Sequence, residues 1–183
     1  PNKKKFLFIP IIIDENKKDL LIFSNNKIFD NWNNEVRSYH LIEYILPTED
    51  LEDINLIKSK YDFIEQYDFK EITNKYFLEN SIVALIFKRE NDIRILSRIK
   101  IKNDISIQNQ SFADIDINSE NHSNQIVNEL KKIYEDYWKN SNEINTSIKL
   151  SLSIKASTLD NSKISNFEKI LENTDLIYNF FIT

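Results

Sequence analysis

The sequence predicts an α/β (α+β) fold: a two-layer sandwich whose mixed sheet contains an antiparallel meander, with helices on one side and a C-terminal β-α-β extension. Three observations predict it. Phe6–Ile13 and Ser81–Phe87 are short apolar runs, and the second reads as a central strand covered on both faces. From Ile93 the chain alternates with period two, with Ile93, Ile95, Ser97, Ile99 and Ile101 on one face and Arg94, Leu96, Arg98, Lys100 and Lys102 on the other. Ile126, Val127, Leu130, Ile133, Tyr134, Tyr137 and Trp138 recur at helical spacing and mark one stripe of an amphipathic helix of about four turns.

Pro10 within the first strand points to a sheet edge or a bulge, because proline cannot donate to a ladder. Leu20–Phe23 follows as a short strand. Residues 26–37 are polar, with Phe29, Trp32 and Val36 near helical spacing, which predicts a helix capped by Asn25 or Asn26. Leu41–Leu46 returns as a strand that Pro47 stops. Thr48–Ile54 opens a helix with carboxylates in its first turn, where the helix dipole favours them. Phe69–Phe77 predicts another helix, with Ile72, Tyr76 and Phe77 facing inward. The meander turns at Asn91-Asp92 and at Asn103-Asp104. The polar stretch Asn118–Ser123 is the one internal boundary, dividing the chain into 1–117 and 118–183, with the second part either sharing the core of the first or forming a truncated second domain. Beyond the amphipathic helix, residues 144–156 alternate as a strand, a helix turns Ile164, Phe167, Ile170 and Leu171 inward, and Leu176–Ile182 closes the β-α-β unit. Without a neighbouring strand, Tyr178, Phe180 and Phe181 would form an exposed edge.

Composition bounds the chemistry through what is missing. A chain of 183 residues has no Gly and no Cys, where ordinary usage of about 7% predicts roughly a dozen glycines. That excludes a P-loop, a GxGxxG fingerprint and a GxSxG elbow, which need backbone free of Cβ. It also excludes disulfides, thiolate zinc sites and Cys nucleophiles, while His40 and His122 are too few for the usual His-rich catalytic zinc site. The 31 Ile, 24 Asn and 20 Lys stand against 3 Val, 3 Ala and 4 Arg, an AT-rich coding bias in which Asn replaces Gly at positive-φ turns and Lys replaces Arg. Each surviving Arg therefore draws attention. The net charge of −5 disfavours nucleic acid as a partner, and no run reaches the ~18 apolar residues of a membrane span. The chain opens at Pro1 without an initiator Met and closes in an apolar run, which reads as a fragment. A leader removed before Pro1 would leave Lys3, Lys4 and Lys5 as a solvated tail, and a truncation fits equally well.

Several spacings coincide: the apolar strand with its Pro, Asn26 with Trp32 six residues on, the block Pro47-x-x-Asp50-Leu51-Glu52-Asp53, and Ile72-x-x-x-Tyr76 before Ile82–Phe87. Together they resemble a family of uncharacterised secreted proteins of proteobacteria, over residues 6–87. The family pattern has Pro-Trp where this chain has Lys27-Ile28, and glycines near Glu49, Phe77 and Asn80. The resemblance implies a signal peptide, a periplasmic or cell-envelope location and no established activity.

Two candidate sites follow from the residues. Arg94, Arg98, Lys100 and Lys102 line one side of one strand and could receive carboxylates or phosphates, Arg supplying forked donors; the plainer reading is a solvated face paired with Glu90, Asp92, Asp104 or Asp114. Glu49, Asp50, Glu52 and Asp53 could ligate a hard cation such as Ca²⁺, or else form a helix start with Asp50 as N-cap and Asp53 at N3. Trp32 and Trp138 sit on apolar stripes as core residues. The expected function is a non-enzymatic cell-envelope protein that binds a partner protein or an anionic polymer through a sheet face or edge, without a cofactor. The alternative is a carboxylate- or metal-dependent hydrolase, whose two carboxylates the sequence does not identify.

Overall fold

The computed structural model describes residues 3–34, 40–142 and 161–172, in two units, Pro1–Glu143 and Ile144–Thr183. In the first unit six strands form one mixed sheet: β1 (Lys4–Asp14), β2 (Asp19–Leu21), β3 (Ile42–Ile45), β4 (Asn80–Arg89), β5 (Asp92–Ile101) and β6 (Asp104–Phe112). Their order is β2-β1-β4-β5-β6, with β3 also on β1. β1 runs parallel to β3 and β4, and the remaining pairs are antiparallel. The α+β class, the mixed sheet and its meander are those the sequence predicts. The first strand starts earlier than its apolar run: the Lys4 amide donates to the Leu41 carbonyl at 3.0 Å, so Lys4 and Lys5 are strand residues and not a solvated tail.

Side chains of β1 and β4 alternate between two apolar clusters. Phe6, Phe8, Ile12, Ile82, Ala84 and Ile86 pack beneath α1 (Lys27–Asn31) and α4 (Glu120–Ser141). Leu7, Ile9, Ile11, Val83 and Leu85 pack against α2 (Leu51–Ser59), α3 (Lys70–Thr73) and the 3₁₀ turn Tyr61–Phe63. Cover on both faces is what makes these strands apolar at successive positions. β5 meets such cover mainly on its α4 face, and so it alternates.

Pro10 shows how β1 ends its pairing. β4 pairs with Leu7–Asp14 on one side. On the other side β3 takes Lys4–Leu7 and β2 takes Ile12–Asp14, which leaves Phe8–Ile11 without a strand there among the described residues. The main-chain polar atoms of one strand residue face the same side, and the Pro10 carbonyl faces this notch, where it accepts from Asn26 Nδ2 at 3.0 Å. The missing proline amide therefore falls where no ladder bond is required. Asn26 is fully buried. Its Nδ2 also donates to the Leu21 carbonyl at 3.3 Å, and its Oδ1 accepts from the Ile28 and Phe29 amides at 2.9 and 3.2 Å, capping α1. The helix predicted over 26–37 is this shorter one, and residues 35–37 lie outside the described residues.

α4 spans 22 residues because its polar first turns extend the helix in front of the apolar stripe. The stripe packs on the sheet, so the helix belongs to the first unit, Pro1–Glu143. Polar side chains of the helix also tie it to the rest of the first unit. Tyr134 Oη and Ser97 Oγ lie 2.7 Å apart, which accounts for a serine among the inward isoleucines of β5. Both Glu135 oxygens accept backbone amides, from Leu41 at 2.8 Å and Ile42 at 3.1 Å, and so terminate β3. Lys131 Nζ donates to the Trp32 carbonyl at 2.5 Å.

Several local expectations are corrected. The positive-φ residues among those described are Lys18, Phe23, Phe69, Phe77, Glu90, Lys102 and Asp114, and none is asparagine. The meander loops are Glu90-Asn91 and Lys102-Asn103, since Arg89 pairs with Asp92 and Ile101 with Asp104. Strand register sets the loop, and the first loop residue takes the left-handed conformation whatever its type. Lys102 accordingly leaves the strand face for a turn. Phe77 does not face inward: α3 and the turn after it end there in a left-handed conformation, and Phe77 is 93% exposed. In the second unit α5 (Asn161–Glu172) is the predicted helix, but Phe167 and Ile170 are exposed while Ile164 and Leu171 are half-buried. The strands predicted at 144–156 and 176–182 lie outside the described residues.

Candidate functional site

The basic face of β5 is engaged from within the chain. Arg94 lies over the Phe87 ring, its guanidinium carbon 4.2 Å from the centroid, and donates to Glu65 Oε1 at 2.6 Å. Arg98 donates to the Tyr67 carbonyl at 2.6 Å and the Glu65 carbonyl at 2.7 Å. The forked guanidinium thus holds the irregular segment that links α2 to α3 against the sheet. Neither arginine uses Glu90, Asp92, Asp104 or Asp114. Lys100 is half-buried and Lys102 exposed, and neither makes an ion pair among the described residues. Tyr67, beside Glu71, has its phenol pushed up to about 12, by burial first and by that carboxylate second.

The acidic block is a helix start, with a difference from the expected capping box. Asp50 Oδ1 accepts from the Glu52 amide at 2.9 Å and caps α2. Asp53, buried, does not reach back to the cap and instead accepts from Lys75 Nζ at 2.6 Å; the same ammonium lies 3.4 Å from Asp50 Oδ2. The Glu52 amide, with Lys75, holds the Asp50 carboxyl below the usual range, and the bond to Asp53 raises Lys75 above the usual lysine value. A lysine occupies the position where a cation would sit. Among the described residues no three His, Asp or Glu side chains form a metal-binding group. His122 lies in the first turn of α4, its Nδ1 accepting the Asp116 amide at 3.0 Å. Trp32 is wholly buried, stacked on Phe8 with centroids 3.7 Å apart, and Trp138 meets Phe6 edge-on at 5.6 Å.

Among the described residues, β6 is the long strand with one open side: it is nine residues long, ends the sheet and pairs with β5 alone. A two-residue loop makes Ile101 and Asp104 a bonded pair, so bonded and non-bonded positions alternate from there. Ser106, Gln108, Gln110 and Phe112 bond to β5, while Ile105, Ile107, Asn109 and Ser111 turn their amides and carbonyls outward. The strand carries no proline, no bulge and no lysine, the usual devices that blunt an edge. On the face shared with Arg98 and Lys100, Ile105 and Ile107 are 61% and 56% exposed. On the α4 face, a groove of about 270 Å³ runs along the strand, lined by Gln110, Ser111, Phe112, Gln125 and Glu129. Gln110 Oε1 is buried there with no donor. A wider hollow of about 610 Å³ opens by the β4–β5 loop, where Arg89 already pairs with Glu15 at 3.1 Å.

In sequence β6 is marked by Ile105 and Ile107, the alternating return of the meander, and by the single charge of Asp104–Phe112. No family model, curated protein or solved structure matches the chain. Among the described residues no helix is long and apolar enough to cross a membrane.

Proposed function

We propose that this chain is a non-enzymatic binding protein of the cell envelope, and that it takes an extended segment of a partner polypeptide onto the outer side of β6. One observation carries the reading: a nine-residue edge strand with outward main-chain donors and acceptors and two exposed isoleucines on one face. Main-chain bonds along such an edge supply affinity and alternate side chains supply specificity. The state of the acidic block, with Asp50 on a backbone amide and Asp53 on Lys75, favours binding over the hydrolase alternative. The envelope location rests on the resemblance over residues 6–87.

The test is affinity capture from a periplasmic extract with the wild-type chain and with Ile107→Pro, which removes one outward amide. A protein retained by the first and lost by the second is the expected result. Retention by both contradicts the edge. Capture that survives Ile107→Pro but fails with Lys100→Glu and Lys102→Glu together would favour an anionic partner on the basic face. Recovery of the natural protein in the cytosolic fraction would contradict the location.

A further inference from the structure

The two sides of β6 differ in chemistry, and a strand added to it must answer both. Successive side chains of an added strand point to opposite faces. Opposite Ile105 and Ile107 its side chains lie on the face that carries those isoleucines, where apolar groups remove the most surface from water. Opposite Gln110 its side chain points the other way, into the groove beneath α4. That groove is lined by Gln110, whose Oε1 is buried without a donor, and by the exposed Glu129. A buried acceptor left unpaired is unfavourable, and an added donor removes that penalty. A carboxylate beside it selects a donor that is positively charged.

Resting on the edge reading, we infer that the partner is a cationic-apolar β-segment: a Lys or Arg seated between Gln110 and Glu129, and two apolar residues against Ile105 and Ile107. The offset from Gln110 to Ile107 is three residues and from Ile107 to Ile105 two. The segment, antiparallel like the neighbouring strands of the meander, therefore reads from its N-terminus: Lys or Arg, any two residues, apolar, any one, apolar.

The experiment is selection of displayed random decapeptides on the full chain, with Ile107→Pro and Glu129→Lys screened in parallel. Glu129 is exposed, so its replacement leaves the packing intact. Far-UV circular dichroism checks Ile107→Pro, and Asn109→Pro, also at an outward-facing position, replaces it if it fails to fold. The wild-type chain is expected to enrich the stated pattern. Glu129→Lys should bind the enriched Lys or Arg peptides at least tenfold more weakly and select Asp or Glu at that position instead, while the proline variant retains none. Edge-dependent peptides with no cation at that position, or with a cation preference that Glu129→Lys leaves unchanged, overturn the inference and leave the edge reading standing. Peptides held equally by the proline variant, or no enrichment at all, overturn both.

Discussion

The two edges of this sheet are finished in opposite ways. On the β1 side the edge is broken into a three-residue and a four-residue strand, and the gap between them is closed by Asn26, whose amide meets the Pro10 and Leu21 carbonyls while its oxygen starts α1. On the β6 side nine residues run uninterrupted with isoleucines in solvent. The first arrangement is what a sheet needs to stop pairing, and the second is what it needs to continue. Stability and binding should therefore separate: substitutions at the closed edge act on folding, and those at the open edge act on association.

The largest effect is expected at the closed edge. Asn26→Ala removes a buried cap and two donors at once, and should lower unfolding stability by about 3 kcal/mol in urea titration; Asn26→Ser, which keeps a capping oxygen and loses both amide donors, should recover part of it. A loss under about 1 kcal/mol for the alanine would mean that the notch is held by something else. Next comes Arg98→Ala, which strands the carbonyls of Glu65 and Tyr67 and should cost about 1–3 kcal/mol. Arg94→Ala should cost less, since its pair with Glu65 is half-exposed. If instead both arginines are dispensable for folding, the basic face is available to an external anion.

At the open edge, Ile107→Pro should change stability by less than about 1 kcal/mol, because the amide it removes points away from β5. Leu85→Pro, in a bonded position between β4 and β5, should abolish folding. Similar effects at the two sites would erase the distinction between a central strand and an edge. The smallest effect concerns pH and lies away from both edges. Asp50 has its pKa lowered from 3.8, so its contribution is present above that value and lost as pH falls through the lowered one. Lys75 has its pKa raised from 10.5, so its contribution is present below 10.5 and lost as pH rises through the raised value. Lys75→Met should remove the alkaline limb and leave most of the acid limb, which the Glu52 amide sustains, while leaving peptide binding at β6 unchanged.

Much of the fold is legible from period alone. Strict alternation from Ile93 locates β5, the runs at Phe6 and Ser81 locate the buried strands, and the stripe from Ile126 locates α4. Asp50 and Asn26 are legible as caps because capping is local chemistry. What sequence does not display is partnership at a distance. That Asp53 meets Lys75, that Arg98 clasps the chain at Tyr67, and that Ser97 answers Tyr134 depend on packing between segments far apart along the chain. Phe77 misleads for a related reason: in a chain without glycine, an exposed turn must place some side chain at positive φ, and apolar character there does not signal burial. The edge was half-legible. Alternation identifies the strand, but only the strand order shows that β6 is last.

The most direct test is amide hydrogen exchange along β6 in the full chain, alone and with a selected decapeptide. Alone, the amides of Ile105, Ile107, Asn109 and Ser111 should exchange rapidly while those of Ser106, Gln108 and Gln110 are protected by β5, and the peptide should slow the first set. Outward amides already protected in the free chain, or unprotected in the peptide-bound one, would contradict an open edge that accepts a strand.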